Sequence, residues 1–211
     1  MLSSFSILLL GFVLGMRHAT DADHVVAVTA IVSGEPSLWR ASRVGALWGI
    51  GHSVTILLAG GAIVIFRLAV PPRLGLALEF VVALMLILLG VLSLSSRTTA
   101  VTPSALRPVA VGLVHGLAGS AFVALLVLAA VPSAWLGLAY LAIFGLGTIG
   151  GMALITMAIA LPSAVGARRV VSAHRYLRLA SGLASVGFGL FLVQRGVSQG
   201  LFAATPIWTP R

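Results

Sequence analysis

Six long apolar segments, separated by short loops rich in proline, glycine or arginine, constrain the fold of this 211-residue chain more than any other feature. They cover approximately residues 2–32, 44–66, 74–95, 108–131, 135–161 and 176–193. An α-helix needs about 20 apolar residues to cross a bilayer, and each segment is close to or above that length. Charged residues make up 8% of the chain, against about 25% in a soluble domain. We therefore predict an all-α integral membrane protein with six transmembrane helices and the lipid bilayer as its solvent.

The positions of the arginines predict the orientation of these spans. The chain has thirteen arginines and no lysine; eight lie near the ends of spans one, three and five that face one side, and four lie on the other side. Because cytoplasmic loops carry the excess of basic residues, we expect a multi-pass protein of the cytoplasmic (inner) membrane with both termini outside. The charge is too thinly spread for a nucleic-acid partner. We interpret the apolar N-terminus as a retained first span, since it lacks the basic region and cleavage site of a secretory signal.

The two halves of the sequence resemble each other. Residues 47–51 (LWGIG) match residues 143–147 (IFGLG) at an offset of 96, His18 falls opposite His115 at 97, and residues 89–91 (LGV) fall opposite 188–190 (FGL) at 99. A repeat of three spans must reverse its direction in the membrane, which is the plan of many transporters. We predict a single transmembrane domain over residues 1–211. It would consist of two inverted three-helix repeats, at about 1–97 and 106–196, and a short tail at 197–211.

A polar cluster interrupts the first span. Residues 17–24 read RHATDADH and hold two of the four acidic residues and two of the five histidines in the chain. Each ionisable group inside a membrane costs roughly 2.5–3.5 kcal/mol by insertion scales, so such a cluster indicates a functional site. Because the chain has no cysteine, a thiolate site is excluded.

Imidazole and carboxylate groups together favour a divalent transition metal. His24 and His52 lie at the same predicted depth, and His18 would lie about 9 Å further out on a straight helix. We therefore predict His18, Asp23, His24 and His52 as metal ligands. The first span is too long for one straight crossing, so we expect it to be tilted or broken near Gly15 and the cluster. Since His18 and Asp23 do not share a face of a straight helix, their convergence would need partial unwinding or approach from other helices.

Other residues are assigned supporting roles or left open. Arg17 and Asp21, four residues apart, could form an ion pair, and Ser53, His115 and Ser120 are further candidates for support. His115 could line the ion path or be a relic of the repeat, and Glu79 could pair with Arg73 near the membrane surface. Two plainer interpretations also stand: His52 could be an ordinary buried histidine, and the cluster could be a hydrogen-bonded knot that holds helices together without metal.

The cluster also carries a family resemblance. Residues 17–24 resemble the His-x4-Asp-His signature of the nickel/cobalt transporter family, with His18, Asp23 and His24 at its fixed positions, and residues 47–53 (LWGIGHS) look like its second motif. Members usually have eight spans and a later Phe-Asp-Thr-Ala-Thr-Glu motif, which this chain lacks. Its residues 114–120 (VHGLAGS) are instead similar to the short membrane proteins linked with urease and hydrogenase maturation.

The resemblance implies transport of Ni²⁺ or Co²⁺ across the cytoplasmic membrane, with the metal as cargo and no prosthetic group. Because a Gly-x4-Gly-Lys phosphate loop needs a lysine, we expect secondary-active transport by alternating access. The alternatives are a membrane metallochaperone that supplies nickel to urease or hydrogenase maturation proteins, and an exporter of another solute. No recognisable catalytic set is present, so we do not expect an enzyme. The sequence does not predict an oligomeric state.

Overall fold

The computed structural model describes residues 3–32, 35–67, 71–95, 105–116, 131, 133–166 and 171–202. Within these residues every regular element is an α-helix. The helices are α1 (Ser4–His18), α2 (Ala22–Val32), α3 (Leu38–Phe66), α4 (Pro72–Ser95), α5 (Leu106–Gly116), α6 (Ala134–Gly166) and α7 (Val171–Ser198). The predicted all-α class is therefore confirmed.

Four helices in the described part of the chain are long and apolar enough to cross a membrane, namely Leu38–Phe66, Arg73–Ser95, Ala134–Val165 and Tyr176–Ser198. They correspond to the predicted spans two, three, five and six. The first predicted span holds two shorter apolar helices, Ser4–His18 and Ala22–Val32. Of the fourth span, only the first part lies in α5, and residues 117–130 lie outside the described residues. The chain has the helices of a membrane protein, while the count of six crossings stays a prediction.

The first apolar segment breaks at the polar cluster, as predicted. The α-helical pattern ends after His18. Two backbone hydrogen bonds between residues three apart follow: Thr20 N donates to Arg17 O at 2.8 Å, and Asp21 N donates to His18 O at 3.0 Å. The Thr20 hydroxyl also donates to Arg17 O at 2.6 Å. Threonine and aspartate compete with the helix for backbone groups in this way. The regular pattern resumes when Val25 N donates to Asp21 O, at the start of α2.

Glycines allow α1 to pack closely against α6. Gly15 lies against the carbonyl of Phe144, and Gly147 lies against the carbonyl of Phe12. A side chain at either glycine would overlap backbone atoms of the other helix. Small residues at helix interfaces allow this close approach in membrane proteins, where packing replaces the hydrophobic effect as the driving force.

Helices α5 and α3 pack by the same contacts. Gly112 lies against the carbonyl of Trp48, and Gly51 lies against the carbonyl of Val109. These two contacts are the sequence counterparts of the α1–α6 contacts at offsets of 96 and 97. The end of α1 and the end of α5 are therefore held alike, each against a long helix from the other half of the chain.

Helices α3 and α6 also pack against each other, and α4 packs against α7. Two buried apolar clusters fill the interior. One is built around Trp48 with residues from α2, α4 and α5, and the other around Tyr140 and Phe144 with Ile7 and Ile56. Of the buried histidines, His18 contacts the Phe144 ring, and His24 and His115 contact the Trp48 ring.

Candidate metal-binding site

Four histidines from four helices meet inside the protein. His18 is the last residue of α1, His24 lies in the first turn of α2, His52 lies in the middle of α3, and His115 lies at the end of α5. His24, His52 and His115 are completely buried, and His18 is 6% exposed. The ring centroids of His18 and His24 are 4.6 Å apart, and those of His24 and His115 are 4.5 Å apart. These side chains form one cluster.

Asp21 orients His18 towards His52. The Asp21 carboxylate lies 2.9 Å from His18 Nδ1, and His18 Nε2 lies 2.9 Å from His52 Nε2. Because a carboxylate only accepts, Nδ1 of His18 carries the proton, and Nε2 presents a lone pair. A carboxylate behind an imidazole is the usual arrangement around a histidine that binds metal.

Asp23 holds two further histidines. One carboxylate oxygen lies 3.0 Å from His24 Nδ1, and the other lies 2.9 Å from His115 Nε2. The Asp23 side chain is 16% exposed, whereas both of its partners are fully buried. Since both ring nitrogens donate to this carboxylate, Asp23 fixes the orientation of His24 as Asp21 fixes that of His18.

Three ring nitrogens in the cluster have no hydrogen-bond partner. They are His24 Nε2, His52 Nδ1 and His115 Nδ1, and all are buried. A buried polar atom without a partner costs about 1–3 kcal/mol and calls for an explanation. At His24 the explanation is that the Nδ1–H group donates to Asp23, so Nε2 carries a lone pair that can bind a metal ion.

Two groups of side chains in the described residues could hold an ion. The first is His18, His24 and His52, and the second is Asp23, His24 and His115; within each group the ligand atoms lie within 4.8 Å of one another. The spacing of 2.9 Å between the Nε2 atoms of His18 and His52 is a hydrogen-bond distance. Because Nε2 of His18 carries no proton, Nε2 of His52 is the donor.

Aromatic rings enclose the cluster from two sides. Phe144 lies 5.4 Å from the His18 ring, and Trp48 lies 5.5 Å from His115 and 6.2 Å from His24, measured between ring centroids. Trp48 and Phe144 are fully or almost fully buried. Such walls exclude water and strengthen electrostatic interactions inside the site.

The structure brings the predicted residues together but changes their arrangement. His18, His24 and His52 lie side by side, so the expected step of 9 Å between His18 and His24 is wrong for the imidazole rings. The cause is the break in the α-helix between His18 and Ala22, where backbone hydrogen bonds that span three residues replace those that span four. Asp23 contacts His24 and His115, which leaves it as either a ligand or an orienting group.

The supporting residues are placed differently from expectation. Asp21 contacts His18, and no ion pair between Arg17 and Asp21 is present in the described residues. The Ser53 hydroxyl donates to the Gly145 carbonyl at 3.0 Å, which links α3 to α6. Ser120 lies outside the described residues. His115 is a full member of the cluster.

Two features of the sequence agree with the contacts that the structure shows around the cluster. His18 and Asp21 are three residues apart, which favours contact as much as the spacing of four between Arg17 and Asp21 does. Trp48 and Phe144 occupy matching places in the repeat, yet their role as walls of the site depends on how four helices meet. No local pattern reveals that.

Comparisons with known proteins place the chain in a family. It is 36% identical to the urease accessory protein UreH of Bacillus sp. (strain TB-90), and the match covers 93% of this chain and 95% of that protein. It is also similar to the chloroplast proteins FOR GROWTH AND FERTILITY 2 and 1 of Arabidopsis thaliana. Identity to these is 27% and 26%; each match covers 87% of this chain but only 55% and 57% of the plant proteins.

No family model matches the sequence, and no solved structure matches it. The bacterial match, by contrast, extends over nearly the full length of both proteins. It confirms the resemblance to membrane proteins linked with urease maturation. This chain belongs to the family of the urease accessory protein UreH.

Proposed function

We propose that this protein carries a divalent transition-metal cation, Ni²⁺ or Co²⁺, across the cytoplasmic membrane. The observation that supports this most strongly is the buried cluster itself, with bare imidazole nitrogens on His18 and His24 next to His52 and a carboxylate behind two of the rings. Ionisable groups inside a membrane are energetically costly, so a buried cluster of them indicates a functional site.

The charge of the cluster suits a dication. Asp21 and Asp23 contribute two negative charges, and the four histidines are neutral in the hydrogen-bond arrangement described above. A dication held there is therefore neutralised. The combination of imidazole and carboxylate groups suits Ni²⁺ or Co²⁺.

The packing supports transport by two inverted repeats within one domain. The contacts of α1 with α6 have counterparts in those of α5 with α3, and the contact of Gly90 with Val186 has a counterpart in that of Gly189 with Ile87. In our proposal the six spans form these two repeats and rock against each other around the cluster. Alternating access of this kind needs no phosphate loop. The membrane potential would favour inward movement by about 2.3 kcal/mol per charge per 100 mV.

The UreH relative favours a role in nickel supply. Its name states that it assists urease, and urease is a nickel enzyme, so we propose that the cargo of this chain is nickel destined for urease maturation. An accessory role also agrees with the expectation that the chain is not itself an enzyme. The second candidate, a membrane metallochaperone that hands nickel to maturation proteins without net transport, rests on the same name.

Uptake into proteoliposomes tests the proposal. The full chain is reconstituted, and accumulation of radioactive nickel is compared for wild type, His18→Ala, His52→Ala and the control His174→Ala, which replaces a histidine far along the sequence from residues 17–24. We expect saturable uptake by wild type and control and at least about a tenfold loss in the two site variants. Equal uptake by all four would reject the site. Nickel binding in detergent without uptake in vesicles would favour the metallochaperone.

A further inference from the structure

We propose that the cluster holds the ion in two alternative positions on opposite nitrogens of a single ring, that of His24, and that transport moves the ion from one position to the other. This inference rests on the proposed function, since it describes how the same cluster passes on its cargo. Position A is defined by His18, His24 and His52, and position B by Asp23, His24 and His115.

The hydrogen bonds assign the ligand atoms. In position A the ligand atoms are the Nε2 atoms of His18 and His52, which lie 2.9 Å apart, and the unpartnered Nε2 of His24. In position B, Asp23 lies 3.0 Å from His24 Nδ1 and 2.9 Å from His115 Nε2. His24 therefore belongs to both groups but offers a different nitrogen to each.

The protons balance without release or uptake. With the ion at A, His24 and His115 keep their protons on Nδ1 and Nε2, each directed at Asp23. The proton of His52 moves from Nε2 to Nδ1, the nitrogen that has no partner at present, and it returns to Nε2 when the ion leaves A. With the ion at B, His24 carries its proton on Nε2, and His115 carries its proton on Nδ1, the nitrogen that has no partner at present. Each ring stays neutral, and Asp23 exchanges two N–H donors for one metal ion.

Position A and position B are also related through the two halves of the chain. His18 and His115 are counterparts at an offset of 97, and Phe144 and Trp48 are counterparts at 96. Position A has His18 against Phe144 at 5.4 Å, and position B has His115 against Trp48 at 5.5 Å. Each half thus supplies one histidine, His18 at the end of α1 or His115 at the end of α5. An aromatic ring from the other half, Phe144 or Trp48 respectively, lies next to that histidine. His24 has no such counterpart and joins the two positions.

One ion at a time follows from the shared ring. Two ions would remove the last ring proton of His24 and place two dications side by side in a medium of low dielectric constant, where their repulsion is large. We therefore expect one Ni²⁺ per chain, although six ligand atoms are available.

Binding of Ni²⁺ to the purified full chain, measured by equilibrium dialysis, tests the two positions. The variants are His52→Ala, which removes position A, His115→Ala, which removes position B, and the double variant. We expect each single variant to bind one ion about 10–100-fold more weakly than wild type at most, because the other position remains. The double variant should lose binding by far more than the two single losses combined, since no position is left.

Two further variants separate metal ligation from structural roles. His115→Gln keeps an N–H donor for Asp23 but is a poor nickel ligand, so in the His52→Ala background it should behave like His115→Ala. His174→Ala controls for the loss of any histidine. If His115→Gln restores binding in that background, His115 only positions Asp23 and position B does not exist. Size-exclusion chromatography shows whether each variant remains folded and monodisperse.

The outcomes for the two proposals differ. If the double variant binds nickel as well as His52→Ala does, or if wild type binds two ions, the two alternating positions are overturned, while uptake by wild type would still support transport. If the binding pattern is as expected but wild-type vesicles take up no nickel, the positions stand and transport is rejected. If the two alternating positions and transport are both correct, His115→Ala should still bind nickel but should lose at least about tenfold in nickel uptake.

Discussion

The end of α1 and the end of α5 hold corresponding places in the two halves of the molecule, and they differ sharply in polarity. Both are packed through a glycine against a carbonyl of the opposite long helix, Gly15 against Phe144 and Gly112 against Trp48. Yet the residues that follow His18 include two aspartates and a histidine, whereas those that follow His115 include no charged group up to Arg168. The two halves share their packing contacts, whereas most of the polar side chains of the cluster come from the first half.

This difference separates two requirements. Close helix approach needs a small residue wherever two backbones meet, so both halves must keep their glycines. Ligands for a metal ion need to be supplied only once if they converge near the place where the halves meet. The second half contributes His115 to that place, and Asp23 of the first half reaches across to it.

The largest expected effect tests the shared packing. Gly15→Ala and Gly112→Ala each place a methyl group against a backbone carbonyl that cannot move aside, so each should lower the free energy of unfolding by about 3 kcal/mol, the upper end for overpacking. The measurement is an SDS titration in mixed micelles. Gly150→Ala is the control, because an added Cβ there meets no atom within 4 Å. A large loss in only one half would show that the two ends are not held alike.

Asp23→Asn tests the chemical side of the comparison. The amide keeps the size of the carboxylate but has one acceptor for two ring N–H donors, so His24 or His115 loses its partner. We expect nickel affinity to fall about 10–100-fold, as for other groups that orient metal-binding histidines. Equilibrium dialysis measures it, with Glu79→Gln on α4 as the matched control. Equal affinity in both variants would contradict the role of Asp23.

Asp21→Asn should have a smaller effect. Its side chain is 41% exposed and serves one ring only, and an amide oxygen can still accept from His18 Nδ1. We expect about a tenfold loss of affinity, the lower end for such groups. Arg17→Gln distinguishes the two interpretations of Asp21. If it weakens nickel binding as much as Asp21→Asn does, the ion pair between Arg17 and Asp21 is the supporting contact after all.

Ser53→Ala should have the smallest effect. Its hydroxyl links α3 to α6 through the Gly145 carbonyl, and hydrogen bonds between membrane helices are worth about 0.6 kcal/mol on average. We expect a loss of that size in the free energy of unfolding, with nickel affinity unchanged. Ser185→Ala, which removes the bond from α7 to the Leu86 carbonyl, is the matched control. A fall in nickel affinity for Ser53→Ala alone would return Ser53 to the site.

Much of the fold was predictable because hydropathy depends on composition over a window and not on distant contacts. The bounds of α3, α4, α6 and α7 were expected within a few residues, except at the start of α3, the end of α6 and both ends of α7, where polar or proline-containing residues continue the helix. A break in the first segment was one of the two expected arrangements, because that segment is too long for one straight crossing.

The partners of individual side chains were less predictable. The spacing of Arg17 and Asp21 permits an ion pair, but the turn after His18 places Asp21 beside the His18 ring instead. The same turn brings His24 next to His18, although six residues separate them. Such outcomes depend on a few backbone bonds around Thr20, which no periodicity encodes.

The sequence by itself determined that this chain is helical and suited to a membrane, and that residues 17–24 hold its densest group of ionisable side chains within an apolar segment, because composition and charge are local properties. Its 36% identity with UreH also determined the family. Only the tertiary structure decided that His115 joins Asp23, that the Nε2 atoms of His18 and His52 meet at 2.9 Å, and that Trp48 and Phe144 enclose them. Four helices distant in sequence must converge before those distances exist, and that convergence depends on the close packing that the glycines allow.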